Sequence, residues 1–529
     1  MNGGILGWYR SGAPWIWLNA AAVAACLAMV FGLLLLLGAR GLGHFWPKPV
    51  LQANYLAMDP PVTVIGEIAD SETVDAGQLQ FSVAGAPLSG DRIERQLLKL
   101  GNRDITGNDF AWILPSLLDA VEYPERLVTL ERREWGNFYG FLSGILQNGE
   151  PVAAPPEDAG ALWSELQQRL DRARQLRDEI EQIERSIIAD INFGMEGLRL
   201  QEMRLLELNR QIQRDSAIFR VAGGAEVELP VADIVRAYRP NAMSRFEAME
   251  TYLARLFEFL TDDPRESNTE GGLLPAIYGT AMMVLLMSVL VTPLGVVAAV
   301  YLSEYAPKGW LTHVIRISVN NLAGVPSIVY GMFGLGFFIY LAGGEIDRLF
   351  YSKSLPAPTF GTPGLLWASL TLALLTLPVV IVATEEGLAN IPASLREGSL
   401  ALGATKFETL WRVILPLARP SMLTGLILAV ARAAGEVAPL MLVGVVKLAP
   451  ALPLDTEFPY LHLEQQFMHL GYYVYDLATQ SPNVEAAMPQ AFAAAFLLVA
   501  VVAALNLSAV IMRGRLRERY KALDTGSWS

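Results

Sequence analysis

The chain carries one cysteine, Cys26, among 529 residues, so no disulfide can form within it. Histidine is nearly as scarce, at four. The spaced pair His462 and His469, with Glu464 nearby, lies seven residues apart, which is not a usual zinc spacing, so both read as packing or interfacial side chains. No G-x-x-x-x-G-K-[ST] occurs anywhere, which excludes a P-loop cradle for nucleotide phosphates. Positive charge runs short in residues 45–270, with 38 acidic against 23 basic side chains, and this acidity argues against nucleic-acid binding. Residues 158–216 almost lack proline.

Hydrophobic sequence, in contrast, makes up 53% of the chain and collects in runs. Six of them reach the length of about 20 residues that a membrane helix needs. They cover approximately 15–38, 273–302, 318–341, 365–383, 422–443 and 488–512. Pro293 and Pro378 fall inside runs, which neighbouring helices in a membrane tolerate. The first run is longer than a signal-peptide core and no small-x-small site follows it, so it reads as an anchor holding Cys26 as a small apolar residue. The fold class is an α-helical polytopic membrane protein with six spans. Lys308 and Arg316, then Arg396, Lys406, Arg412 and Arg419, then Arg513, Arg515, Arg517, Arg519 and Lys521 all fall on one side of such a bundle. Positive residues mark the cytoplasm, which places both termini there, with Arg10; Arg40 and Lys48 are the weaker counter-signal.

This divides the chain into 1–42 (tail and anchor), 43–270 (an α+β region outside), 271–515 (the membrane core, with a cytoplasmic loop at 385–420) and 516–529 (a tail). In the outer region, "PVTVIGEIADSETVDAGQLQFSVAG" has short β-branched runs broken by Gly, Asp and Pro, the mark of small strands. Over 158–216, Ala173, Leu176, Ile180, Ile183 and Ile187 keep 3-4 spacing, which Leu198, Leu205, Leu208 and Ile212 resume. That predicts a helical hairpin or short coiled coil turning near Gly194 and Gly197. It is either a partner-binding arm or a self-packed pair.

The 385–420 loop has its own punctuation. Ser394 with Glu397, and Thr405 with Glu408, each read as a capping box. Leu395, Ala401 and Leu402 follow the first, and Phe407, Leu410, Trp411 and Ile414 the second. Gly403 suits the left-handed end of the first helix, and Pro416 is expected to stop or bend the second. Two short helices result, either resting on the lipid interface or offering the small-residue face "EGSLALGA" to a groove on another protein. In the fifth run, Arg432 stands near the middle with Glu436 one helical turn on. A charge at the bilayer centre costs about 2.5–3.5 kcal/mol, so such residues face a bundle interior or a pathway. The pair is either a buried brace or a cation on an anion path, where the planar guanidinium fork suits tetrahedral oxyanions.

Glu397-Gly398-Ser399, then Gly403, then Val413-x-Leu415-Pro416 resembles the EAA loop of ATP-binding-cassette importer permeases. Gly398 and Ser399 replace two alanines there, and Val413 an isoleucine. Further, "GLLPAIYGTAMMVLLMSVLVTPLGVVAAVYLSEYAP", "GVPSIVYGMFGLG", "LPVVIVATEEGLANIPASLREGSLALGAT" and "ARAAGEVAPLMLVG" resemble the phosphate permeases of the PstA type. "FPYLHLEQQFMHLGYYVYD" looks like the longer form, which carries an extra outer domain. The likeness runs from about residue 270 to 515. It implies a core of five spans of the type I importer kind plus the N-terminal anchor. It also implies ATPase coupling through Glu397, Gly398, Ser399, Gly403, Leu415 and Pro416, and a substrate path at Arg432 and Glu436. The chain would bind no cofactor itself, ATP and magnesium residing on partner ATPase subunits, and would catalyse no covalent step. The other implied partners are a second, PstC-type permease, an extracytoplasmic phosphate-binding protein and the lipid bilayer of a bacterial inner membrane. The competing readings are a permease for another oxyanion or small solute, an ion-driven secondary transporter, and a membrane-anchored sensor or scaffold.

Overall fold

Six helices are long and apolar enough to cross a bilayer: Trp15–Gly43, Leu274–Tyr305, Ser327–Phe350, Leu365–Ala389, Lys406–Ala433 and Ala487–Ser508. The computed structural model describes residues 13–57, 60–75, 92–152, 159–189, 195–265, 268–307, 309–353, 356–449, 452–454, 460–481 and 484–525. Phe45–Gly272 form one compact unit, and the described residues on either side of it form another.

In the membrane unit the fourth span is the hub. Leu372, Leu375 and Val380 on it pack with Met283, Met287 and Val291 of the second span and Ala429 and Ala433 of the fifth. Small residues bring the backbones together, as membrane helices require when apolar burial alone gives no drive. A Cβ on Gly295 would come within 2.6 Å of Val380, and one on Gly425 within 2.9 Å of Ala383. The first span meets the sixth the same way, with Gly41 flush against the backbone of Ala493.

Two expected spans are corrected. The third does not begin at 318. An amphipathic helix, Trp310–Leu322, ends first, and the span starts afresh at Ser327. Pro326 and Gly324 impose the interruption, since a residue before proline avoids helical geometry. The span then runs to Phe350 with a π-helical stretch over Gly334–Gly343. The fifth does not cover 422–443. It occupies Lys406–Ala433, and residues 434–439 leave the helix before a short turn of helix at Leu440–Val443.

The outer unit is richer in strand than its sequence promised. The expected small strands include β2 (Val62–Asp75), while residues 76–85 of that stretch lie outside the described residues. β1 (Val50–Tyr55), β2, β3 (Arg92–Lys99), β4 (Phe110–Ile113) and β5 (Leu118–Glu122) form an antiparallel sheet in the order β4-β3-β2-β1-β5. A second holds β6 (Leu127–Arg132), β7 (Phe138–Gln147), β8 (Glu150–Pro151), β9 (Asp215–Arg220), β10 (Glu226–Pro230) and β11 (Ile234–Tyr238). Its order is β10-β9-β7-β6-β11, with β8 folded back on β7.

The predicted hairpin is α1 (Ala159–Ala189) and α2 (Met195–Ile212). It is an excursion between strands of one sheet, since β7 and β9 are hydrogen-bonded neighbours. Its root is structural: Leu162, Leu166 and Leu170 are buried with Phe138 and Phe219. Further out, Leu176, Ile180 and Ile183 meet Leu205, Leu208 and Ile212, as the 3-4 spacing requires. Gly197 lies inside α2; Gly194 and the side chains of Ile187 and Leu198 fall outside the described residues.

A third helix, α3 (Arg245–Thr261), opens on a capping box between Ser244 and Glu247. It carries Arg255, which donates to Glu131, to the Tyr238 hydroxyl and to the Phe45 carbonyl. Arg236 donates to the other Glu131 oxygen at 3.0 Å and to Glu258 at 2.8 Å. Burial by itself would push the Glu131 carboxyl up, but Arg255 and Arg236 more than offset this and bring it down to about 2. A depressed carboxyl contributes stability above its unfolded value of about 4.3 and loses it as the pH falls toward the folded value. Protection of the β6 amides of the full chain, corrected for the intrinsic exchange rate, should therefore fall as the pH drops between those values. Glu131→Ala should remove about 3–5 kcal/mol of protection at neutral pH by stranding two guanidiniums; unchanged exchange would show the network to be dispensable.

Candidate functional site

The helix break in the fifth span sets the geometry of the first candidate pair. Arg432, expected near the middle of the fifth span, is instead the penultimate residue of its helix, 13 residues and hence ~20 Å along the axis beyond Arg419. Glu436 does not continue the helix. The chain turns, with the N–H of Gly435 donating to the Arg432 carbonyl and that of Glu436 to the Ala433 carbonyl, both at 3.3 Å. The expected pair still forms through this turn, Arg432 Nε standing 3.7 Å from Glu436 Oε1. That separation is an ion pair but too long for a hydrogen bond. The side chains remain 35% and 22% exposed. Among the described residues no hydrogen bond reaches the guanidinium.

Irregular backbone at this depth is tolerated only where protein or a water-lined cavity surrounds it. Here glycines let neighbours close on it. A Cβ on Gly331 would strike Pro439 Cα at 2.7 Å, and one on Gly471 would strike Val437 at 2.5 Å. The first contact joins the segment Pro326–Gly331 to the residues that follow the helix end. Beyond the break, the chain covers the start of the fourth span. Leu365 and Leu366 donate their N–H groups to the carbonyls of Gln465 and Leu463, both at 2.9 Å. Lys447 pairs with the buried Asp476 at 3.2 Å. His469 is a buried cap, its Nδ1 accepting from the Gly471 N–H at 3.1 Å, while His462 pairs with Glu464 at 3.2 Å.

On the other side of the bundle, the loop forms two helices, but not by both of the expected caps. α5 is reserved for the first of them, Ala393–Ala401, with α4 the amphipathic helix Trp310–Leu322. Pro392 takes the N-cap position of α5, so Ser394 lies inside the helix and its capping box does not form. The end is as expected. Gly403 adopts φ +86°, the Gly403 N–H donates to the Leu400 carbonyl at 3.0 Å, and the Ala404 N–H donates to the Ser399 carbonyl at 3.3 Å. The Thr405–Glu408 box forms, through 2.9 and 3.2 Å bonds. Pro416 does not stop the second helix. A π turn at Leu410–Ile414 precedes it and the helix runs on to Ala433. The wider turn absorbs the lost N–H and the ring clash that would break a regular helix.

Of the six predicted loop residues, Glu397, Gly398 and Gly403 are exposed, while Ser399, Leu415 and Pro416 are half-buried. Ser399 Oγ lies 2.9 Å from Thr409 Oγ1 and ties the two helices together. Ile414 beside Leu415 is buried with Val300, Leu388 and Ile391, seating the loop under the second and fourth spans. In the sequence Arg396 carries only a topology signal, yet it is the strap. It pairs with Glu304 at 3.0 Å and donates to the carbonyls of Leu388 at 2.6 Å and Ile391 at 2.7 Å. Lys406 donates to the Glu304 carbonyl. Outward, Leu402 is 91% exposed, and Phe407 stacks on Trp411 with both rings exposed.

Residues 291–522 match the family described as binding-protein-dependent transport system inner membrane component. The phosphate transport system permease protein PstA 1 of Mycobacterium tuberculosis is 37% identical, over 46% of this chain and 71% of its own length. The probable ABC transporter permease protein YqgH of Bacillus subtilis is 34% identical, over 38% of this chain and 62% of its own. The phosphate transport system permease protein PstC of Xylella fastidiosa is 32% identical, over 37% and 63%. Among solved structures, a methionine ABC transporter, MetNI, matches at 18% identity with a TM-score of 0.33, covering 46% of this chain and 95% of that one. The 37% identity across most of the Mycobacterium permease, together with the family match over the membrane unit, makes this chain a member of the binding-protein-dependent transport inner-membrane family, in its phosphate ABC permease branch.

Proposed function

We propose that the chain is a multi-pass inner-membrane permease subunit of an ATP-driven phosphate importer, with both termini cytoplasmic. The observation that carries this is Arg432: a guanidinium at the end of an apolar span, with no hydrogen bond among the described residues, standing 3.7 Å from Glu436 where the chain leaves its helix. Glu436 orients the guanidinium and offsets its charge, leaving N–H groups for an oxyanion, which the planar fork meets with two parallel bonds. Gly331 packs against Pro439 just beyond the pair.

The chain performs no covalent step. ATP and magnesium reside on partner ATPase subunits. The exposed Glu397–Gly398 face, with Leu402, Phe407 and Trp411, is the apolar surface such a subunit would cover. A push on α5 reaches the second and fourth spans through Arg396 and Glu304, and the fifth through the continuous helix after Thr405. A PstC-type permease completes the path, and an extracytoplasmic phosphate-binding protein delivers to it.

Uptake of labelled phosphate by cells carrying Arg432→Gln, at unchanged abundance in the membrane, should fall roughly tenfold to a hundredfold, the worth of a charge-assisted hydrogen bond. Arg432→Lys should fail as well, because a point charge cannot supply the fork; full uptake in both would reduce Arg432 to a brace. Competition by arsenate and sulfate in the same assay separates phosphate from other oxyanions.

Gly403→Val meets open space but must hold φ +86°, at a cost of about 1–2 kcal/mol before its β-branch is counted. The variant should insert normally, lose the co-purifying ATPase and lose uptake. Retained ATPase and uptake would remove the loop from the coupling role.

A further inference from the structure

The helix α3 has two apolar faces. One holds Ala248 and Phe259, buried in its own unit. The other is a stripe of Phe246, Met249, Leu253, Phe257 and Leu260 at steps of three and four residues, all exposed, with Phe246 at 80% and Phe257 at 68%. A helix with only one partner carries polar residues on its outer face. This stripe is therefore covered by something other than the unit it belongs to.

The covalent chain says where the stripe lies. Phe259 packs on Phe45 with ring centroids 4.8 Å apart, Tyr252 on Trp46 at 5.9 Å, and Arg255 donates to the Phe45 carbonyl at 3.1 Å. Phe45 follows the last residue of the first span, Gly43, by two steps of the chain, so their Cα atoms are at most ~8 Å apart. At the other end of α3, the Gly272 N–H donates to the Asp263 carbonyl at 3.0 Å, and Leu274, two residues on, begins the second span. The middle and the C-terminus of α3 are thus each pinned within a few ångströms of a point where the chain enters the bilayer. Both points lie on one face of the membrane, because the unit that joins them lies between consecutive spans.

We propose that α3 lies along the bilayer surface with Phe246, Leu253 and Phe257 sunk into the boundary between headgroups and acyl chains, anchoring the outer unit to lipid. Interfacial helices bury such a face about 5–10 Å deep. The exposed residues beside the stripe are Arg245, Glu247, Glu250 and Ala254, one cation against two anions, and Arg255 is turned inward, so the attraction is apolar and gains nothing from anionic lipid. Trp46, exposed next to Tyr252, suits the aromatic belt at the same depth.

The single native cysteine makes the test direct. Full-length Cys26→Ala chain carrying Phe257→Cys is labelled with an environment-sensitive fluorophore and placed in phosphatidylcholine nanodiscs. Nitroxide at a shallow acyl position should quench that label at least roughly twofold more than the same label on Ala254→Cys, off the stripe, and aqueous iodide should quench it less. Leu253→Cys should repeat the result if the Phe257 variant fails to insert. Adding phosphatidylglycerol should leave the quenching unchanged. Ready access to iodide would put the stripe in water, and protection from both quenchers would put a protein against it; either result overturns the proposal, as would quenching that appears only with anionic lipid.

Discussion

Backbone that leaves a helix inside a bilayer has no water to bond, and this constraint organises the membrane unit around residues 434–439. The turn satisfies some of its own groups, with N–H bonds back to Arg432 and Ala433. The rest of the arrangement excludes lipid. Gly331 and Gly471 exist at the contact because a methyl group would hold Pro439 and Val437 away by more than the packing allows. The fourth span must then be the hub, because it fills the space the fifth vacates. Its own exposed N-terminal N–H groups are taken by the carbonyls of Leu463 and Gln465. Removing the break would make the outer cover from Gly444 to His469 unnecessary.

At the other end of the bundle the demand is stiffness. A coupling element that bent on its own would transmit nothing. Each local device there is modest: a cap contributes about 0.5–2 kcal/mol, and the Ser399–Thr409 bond about 1 kcal/mol. What fixes the loop relative to the spans is Arg396, whose guanidinium reaches one carboxylate and two carbonyls from the ends of two different helices. The π turn at Leu410–Ile414 is the compliant place in the same path, where helix geometry already departs from regular and Pro416 follows.

Sequence reasoning succeeded where the deciding forces were local. Gly403, the Thr405–Glu408 box and the 3-4 spacing of the hairpin all depend on residues within a few positions of one another. It failed where local signals competed. Ser394 and Glu397 make a sound capping box, yet Pro392 starts the helix first. The third span was begun at 318 although Gly324 and Pro326 were there to be read. The break at 434–439 has weaker marks, Gly435 and Pro439, in a run also interrupted by Arg432 and Glu436; packing against Gly331 and Gly471 accompanies it, and no window on the fifth span contains those residues. Arg396 was legible as a charge, but its partner Glu304 lies 92 residues away. Most of the outer strands alternate too irregularly among acidic residues to declare themselves, because their register is set by pairing across the sheet.

The arginines of the chain separate structure from function by how completely they are used. Arg132 donates to both oxygens of Asp104, at 2.9 and 3.0 Å, and to the carbonyls of Gly136 and Trp135. Arg255 and Arg396 are likewise engaged by a carboxylate and by main-chain oxygen. A guanidinium that braces a fold fills its donors, because each one left bare in a dry place costs about 1–3 kcal/mol or more. Arg432, at the end of an apolar span and 35% exposed, has one carboxylate at 3.7 Å. A brace would close that gap, and the turn through Gly435 and Glu436 leaves it open. Keeping the fork open is wasteful for stability and useful for an anion that must bind there and leave again, and that asymmetry favours the path over the brace.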